Sequence, residues 1–384
     1  MEFSEEAIGY LEEQGFDLDF LEYLAGFEFT GDVRAVPEGT PVFPDEPLVE
    51  VTAPVIQAQL LETMLINQIS FQSLIATKAA RMRDIVDRNN GDQPLVDFGS
   101  RRAHGTDAGM KAARASYIGG FAGTSNVAAG QKFGIPVFGT MAHSWIESFP
   151  TEKEAFEAYL DIYGEESILL VDTYDTLKGA ELARDLCEER KLDIKGVRID
   201  SGDLAELSKK VDSRTGLGVF VSSGLDEYKL KDFFERGGIS AGFGVGTNLV
   251  TSSDAPKIEG VYKLVEVERE GRMQPVMKLS KGKSTFPGKK SVRRVFDNGS
   301  MRKDFLGLEG EDLDGEEILV DVFREGKLVY DAPYLEEIRE KAIASLESVP
   351  LKYRRIEDPE HYPVNVGTEL EEQKESLEEE LESR

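Results

Sequence analysis

His143 stands directly before Ser144 in Gly-Thr-Met-Ala-His-Ser-Trp, just past an apolar run that holds Ile135, Val137 and Phe138. An imidazole in such a place can serve as acid, base or nucleophile. Arg198 lies inside the apolar run from Ile194 to Ile199, where a guanidinium needs an anionic partner. Asp200 and Ser201 follow it, and Asp172 and Asp175 close the preceding apolar run. Carboxylates beside phosphates commonly hold Mg2+, which takes one or two acidic ligands and keeps several waters. The same carboxylates could hold ribose hydroxyls. Ser222-Ser223-Gly224 and Gly244-Val-Gly246-Thr247 are glycine turns of the kind whose backbone amides approach a phosphate.

Each feature has a plainer counterpart. A lone histidine in an apolar setting is more often a satisfied core residue, and a glycine pair is more often a tight turn. Asp203 caps a helix starting at Leu204 as readily as it binds anything. His104 sits in a loop-like Arg-Arg-Ala-His-Gly, and His361 reads as surface. Three scattered histidines and the single Cys187 make no zinc pattern.

The elements that must position these groups follow one scheme. Pro94 to Gly99 runs into Ser100-Arg101-Arg102, and Tyr117 to Gly123 into Thr124-Ser125-Asn126. Gly134 to Phe138 leads to His143, Ser167 to Val171 to Asp172, and Gly218 to Val221 to Ser222. Helical spacers separate the runs, one of them opening on a Thr151–Glu154 capping box. Apolar strands alternating with helices predict parallel βα units. Polar residues at every strand end favour a barrel mouth over the single switch point of an open sheet.

The flanks differ. Residues Phe3 to Gly26 read as helical, and Phe29 to Val36 as a strand. Val55 to Asn89 is a long helix whose Lys78, Arg81 and Arg83 are either solvated or aimed at an anion. After Pro256, Val261–Val267, Gln274–Leu279 and Ser291–Phe296 read as antiparallel strands, with a basic stretch from Ser280 to Lys290. This divides the chain into a mixed α/β domain from residues 1–55 plus 260–350, a barrel domain over 56–259 and an acidic tail over 351–384. The tail reads as a solvated helix or as disordered.

The chain has 384 residues, with 45 Lys plus Arg against 73 Asp plus Glu and a formal net charge of −28. Such a surface argues against nucleic acid and anionic membranes as partners. It suits a salt-rich cytoplasm, where counterions screen the self-repulsion. The start lacks the pattern of a signal peptide and no apolar run reaches spanning length, so a cytoplasmic protein is expected.

Taken together, these motifs resemble nicotinate phosphoribosyltransferase, from about Phe27 into the 340s. They include Phe-Thr-Gly-Asp-Val-Arg-Ala-Val, Ile-Ala-Thr-Lys-Ala-Ala-Arg, Asp-Phe-Gly-Ser-Arg-Arg-Ala-His-Gly, Ala-His-Ser-Trp, Val-Asp-Thr-Tyr-Asp-Thr, Arg-Ile-Asp-Ser-Gly-Asp-Leu and Ser-Ser-Gly-Leu-Asp-Glu. The resemblance implies an irregular α/β barrel with a second domain from both chain ends, working as a homodimer. It implies that nicotinate displaces pyrophosphate from phosphoribosyl pyrophosphate, with ATP as co-substrate and Mg2+ required. By position, His143 matches the histidine that ATP phosphorylates. Arg101, with Arg102 beside it, and Arg198 match arginines for phosphates and the pyridine carboxylate, and Phe98 matches a ring-stacking residue. Asp200, Asp172 and Asp175 match ribose and Mg2+ groups, with Ser201 beside Asp200 and Ser144 beside His143 as further substrate-binding candidates. Ser222, Ser223, Gly224, Gly244, Gly246 and Thr247 match the 5′-phosphate site.

Ser125, beside Thr124, stands where the related nicotinamide enzyme is acidic; a hydroxyl there would not repel a carboxylate. Family members begin with a further Tyr-Thr-Asp-Leu-Tyr-like segment, and nothing before Phe3 resembles it, so its absence is expected. The alternatives are quinolinate or nicotinamide phosphoribosyltransferase, or a non-catalytic relative. A barrel isomerase or aldolase would want a lysine at a strand end, and Lys195 is ahead of its strand.

Overall fold

The computed structural model describes residues 2–89, 91–279 and 285–383. Six short strands pair in parallel: Leu95–Asp97, Gly123–Thr124, Ile168–Leu170, Gly196–Ile199, Val219–Ser222 and Gly242–Val245. In space Gly123–Thr124 is followed by Leu95–Asp97, Gly242–Val245, Val219–Ser222, Gly196–Ile199 and Ile168–Leu170. The strands are mostly apolar because helices cover them. Leu95, Leu169, Leu170, Val197, Ile199, Val219, Val221, Phe243 and Val245 lie in one core with Ile75, Met82, Phe156 and Leu186 of the helices. Each such side chain stabilises the fold by about 1.5–3 kcal/mol. Cys187 is one of this core's residues.

Helix starts are written into the sequence. Thr151, Asp175, Asp203 and Asp226 each accept a hydrogen bond from the backbone N–H three residues on. A cap of this kind contributes about 1 kcal/mol.

Two expected strands take other forms. Tyr117 and Ile118 close the helix Thr106–Ile118. The Gly119 that follows passes so near the long helix Val55–Arg88 that a Cβ would lie 2.6 Å from the Ala76 carbonyl oxygen. The run before His143 reduces to one bridge between Thr124 and Val137. Pro136 between them has no N–H to continue a ladder. No pairing joins the Val137 segment to Ile168–Leu170 among the described residues, so hydrogen bonding traces an arc of strands rather than a closed ring.

A second set of sheets joins the two ends of the chain. Asp32–Ala35 pairs antiparallel with Val49–Thr52 on one side and with Val320–Arg324 on the other. Lys290–Asp297 pairs with Ser300–Leu308, which takes Val364–Val366 alongside in parallel. The strand expected from Val261 is shorter and later, Glu266–Arg269 against Arg272–Pro275. Residues 280–284 of the basic stretch lie outside the described residues. The tail forms a helix, Thr368–Glu382, with Leu370 buried. The expected N-terminal helix divides into Glu5–Glu13 and Leu18–Ala25 at Gly15, whose φ is +83°. Among the described residues no helix is long and apolar enough to cross a membrane.

Candidate active site

The polar groups that end neighbouring strands meet on one side of the parallel sheet. Asp172, directly after Ile168–Leu170 and Val171, has a fully buried side chain. Its Oδ2 accepts from the Asp200 backbone N–H at 2.8 Å and from the Ser201 hydroxyl at 2.6 Å. Its Oδ1 is buried with no hydrogen-bond partner. The ring of His143 faces this pair. His143 Nε2 lies 4.0 Å from Asp172 Oδ1 and 3.8 Å from Asp200 Oδ2. The other nitrogen, Nδ1, is 3.1 Å from the Thr173 hydroxyl. The histidine is the first residue of the helix His143–Glu147, and its side chain is 41% exposed. It is therefore open to a ligand and is no core histidine.

Arg198 supplies the opposing charge. Its side chain is 12% exposed. Nη1 donates to the Ser222 hydroxyl at 3.1 Å and lies 3.8 Å from Asp200 Oδ2. Ser222 donates onward to Asp200 Oδ1 at 2.8 Å. Burial lowers the Arg198 pKa, Asp200 and Asp172 pull it back up, and the like charge of Arg101 lowers it further. Arg198 Nε is buried without a partner. The guanidinium thus sits among two carboxylates and a hydroxyl with donor capacity to spare.

The Leu95–Asp97 strand brings in Phe98, Arg101 and Arg102 through a structural carboxylate. Asp97 is fully buried, and its oxygens accept from the Gly99 N–H and the Thr124 hydroxyl, each at 2.7 Å. Burial raises its pKa, and those two hydrogen bonds lower it. Asp97 thereby fixes the turn Ser100–Arg102, on which Arg101 and Arg102 are exposed. It also occupies Thr124, whose hydroxyl accepts from the Asn126 N–H as well. Thr124 is a brace, and Ser125 beside it is half-buried. The Phe98 ring packs against Gly244, where a Cβ would come within 2.5 Å of it. That is the close approach for which a glycine is needed at 244.

The two glycine turns flank this mouth. Ser223 and Gly224 have φ of +111° and +56°. Gly246 precedes the short helix Thr247–Thr251, and Thr247 is exposed. Asn248 Nδ2 donates to the Gly224 carbonyl at 2.8 Å, so the turns touch. A cavity of about 450 Å3 adjoins the mouth, lined by Gly139, Thr140, Met141, Ala142, Trp145 and Tyr159 among others.

Most of the other singled-out residues have contacts of their own. Asp175 is exposed and caps the helix Thr176–Arg190. Asp203 caps Leu204–Thr215 and binds Arg236 through both oxygens. Ser144 is exposed one residue beyond His143, and no hydrogen bond to its side chain is seen among the described residues. Lys78 is buried and Arg81 half-buried, and both bind Glu227. Arg83 binds Asp87 and the carbonyls of Gln93 and Gly91. Thr173 and Asp97 were not singled out by sequence reasoning, although each adjoins a residue that was.

The geometry can be set beside known proteins. The model described as the nicotinate phosphoribosyltransferase (NAPRTase) family matches residues 94–306. Its N-terminal-domain model matches residues 1–70, and its C-terminal-domain model residues 308–374. A nicotinate phosphoribosyltransferase of Mycobacterium tuberculosis is 45% identical over 379 residues, 96% of this chain and 80% of that protein. One from Bacillus subtilis is 37% identical over 99% of this chain and 86% of its own length. The crystal structure of human nicotinic acid phosphoribosyltransferase aligns with a TM-score of 0.83 at 28% identity, covering 98% of this chain and 89% of that one. The nicotinate-nucleotide pyrophosphorylase of Pyrococcus furiosus aligns at 0.71 and 26% identity, over 86% and 84%.

Proposed function

The chain belongs to the nicotinate phosphoribosyltransferase family, and we propose that its strand-end mouth joins nicotinate to phosphoribosyl pyrophosphate with coupled ATP hydrolysis. The pyridine nitrogen forms a bond to the ribose anomeric carbon as the bond to pyrophosphate breaks, giving nicotinate mononucleotide for NAD synthesis. The observation that carries this reading is the facing of His143 onto Asp172 and Asp200, with Arg198 on the same carboxylate.

Positive charge grows on the ribose carbon as pyrophosphate departs, so the leaving anion must be held. Arg101 and Arg198 are the cations for the anionic groups. Phe98 offers a ring face for the pyridine, and Ser125 leaves the nicotinate carboxylate unrepelled. The backbone of Ser223, Gly224 and Gly246 receives the 5′-phosphate. Placement of the ring nitrogen matters more than its activation.

Among the described residues no three His, Cys, Asp or Glu side chains are placed to hold a metal. Mg2+ takes one or two carboxylates and completes its shell with phosphate and water. Asp172 Oδ1 has no hydrogen bond, and none is seen to Asp200 Oδ2 among the described residues, so these two oxygens would hold it. When bound, the ion offsets diphosphate charge. An imidazole nitrogen of His143 takes the γ-phosphoryl group of ATP as ADP leaves. Water later accepts that group, releasing phosphate and restoring the imidazole.

The enzyme works as a homodimer in a salt-rich cytoplasm. The exposed apolar residues Val55, Ile56 and Met64 of the long helix are surface that a second copy would cover. Incubation with nicotinate, phosphoribosyl pyrophosphate, Mg2+ and ATP should give nicotinate mononucleotide. Product from quinolinate or nicotinamide instead would overturn the assignment.

A further inference from the structure

Lys78, on the long helix, has its side chain only 4% exposed and reaches two carboxylates. Glu227 Oε2 is 2.7 Å from its ammonium, and Asp254 Oδ1 is 2.5 Å away. Glu227 is itself fully buried, and its other oxygen takes Arg81 Nε at 2.7 Å. A buried charge cluster is a poor source of stability, because desolvation offsets most of the attraction. Its geometry is the better clue to its use. Glu227 is the first residue of the helix Glu227–Glu235, directly behind the turn at Ser222, Ser223 and Gly224. Asp254 lies just behind Gly246 and the helix Thr247–Thr251. One ammonium therefore ties down the trailing ends of both glycine turns.

The turns are also tied to each other. Asn248 Nδ2 donates to the Gly224 carbonyl at 2.8 Å and to Asp226 Oδ2 at 3.1 Å. Ser253 donates to Asn248 Oδ1 at 3.2 Å. Ser223 is held at a φ of +111°, a conformation that persists only where its surroundings impose it.

We propose that the Lys78 bridge to Glu227 and Asp254 is a positioning device that holds both glycine turns in the shape that receives the sugar 5′-phosphate. This rests on the phosphoribosyl reading above. None of the three side chains touches the reacting atoms; each acts through the backbone of the turns.

Binding of ribose 5-phosphate, followed by calorimetry, tests this without turnover. Glu227→Gln removes the buried charge and should weaken ribose 5-phosphate about tenfold, which corresponds to about 1.4 kcal/mol. Asp254→Asn, at a carboxylate 42% exposed, should weaken it about threefold. The KM for nicotinate should stay at the wild-type value in both. Wild-type affinity for ribose 5-phosphate in Asp254→Asn overturns the bridge, whether or not Glu227→Gln folds. So does an equal loss of nicotinate and ribose 5-phosphate binding, which would mark a general structural role. Wild-type protein that binds ribose 5-phosphate yet makes no mononucleotide would sink the proposed activity and leave the bridge standing.

Discussion

Arg198 Nη2 donates to the carbonyl of Met141 at 2.9 Å, two residues ahead of His143. The bond ties the Gly196–Ile199 strand to the segment that delivers the imidazole, so one guanidinium both bears charge and sets the histidine's approach. Lysine has no planar fork to reach Met141 and Ser222 together. Arg198→Lys should raise the KM for phosphoribosyl pyrophosphate by about tenfold or more, since hydrogen bonds to charged groups are worth about 1.5–3 kcal/mol. Steady-state kinetics will show it, and an unchanged KM would remove Arg198 from the binding of that anion.

Ser125 is half-buried at the end of the Gly123–Thr124 strand, its backbone N–H bound to the Asp97 carbonyl at 2.8 Å. Ser125→Asp would set a negative charge where the proposed reading puts the nicotinate carboxylate. Use of nicotinate should fall at least tenfold in kcat/KM, with nicotinamide unaffected or improved. Equal losses for both substrates would mean that position 125 does not read the carboxylate.

Away from the mouth, Arg294 is buried against Asp304, with Nη2 2.6 Å from Oδ2, and Tyr362 donates to Asp304 at 2.9 Å. Arg294→Met leaves Asp304 buried without its cation. Breaking such a pair costs about 3–5 kcal/mol. Denaturant unfolding should report that loss, with the KM values of the folded fraction unchanged. A loss under 1 kcal/mol would show that water reaches the carboxylate.

Glu46 completes that cluster, 3.8 Å from Arg294, with Phe43 N–H donating to Oε2 at 2.9 Å. Burial and then the neighbouring Asp304 carboxylate push its pKa up to about 9 from 4.5. The folded state therefore holds this proton more tightly than the unfolded chain does. Its contribution to stability is complete below pH 4.5 and is lost as pH rises toward 9. Glu46→Gln should flatten the decline in stability across that window. An identical slope in the variant would place the titration elsewhere.

Much of this arrangement was legible in the sequence because strand ends and helix starts leave local marks. Asp172, Asp200, Ser222 and the glycine turns each follow an apolar run, and the caps at Thr151 and Asp203 were readable from one residue type and its spacing. What escaped depended on distant partners. Nothing near Lys78 in the chain announces that it will meet Glu227 and Asp254 from two distant stretches of the chain. Asp175 turned out to cap the helix Thr176–Arg190, a role its place after an apolar run does not distinguish from a ligand's. The run before His143 looked like a strand, and only the missing N–H of Pro136 argued otherwise.

The most direct measurement compares ADP released with mononucleotide formed, in wild type and in His143→Ala. In wild type, adding nicotinate and phosphoribosyl pyrophosphate should bring both products out together. In His143→Ala, ADP release and the stimulation of synthesis by ATP should disappear, leaving a slow ATP-independent reaction. ADP released by the variant at the wild-type rate, still in step with mononucleotide, would contradict the role given to this histidine.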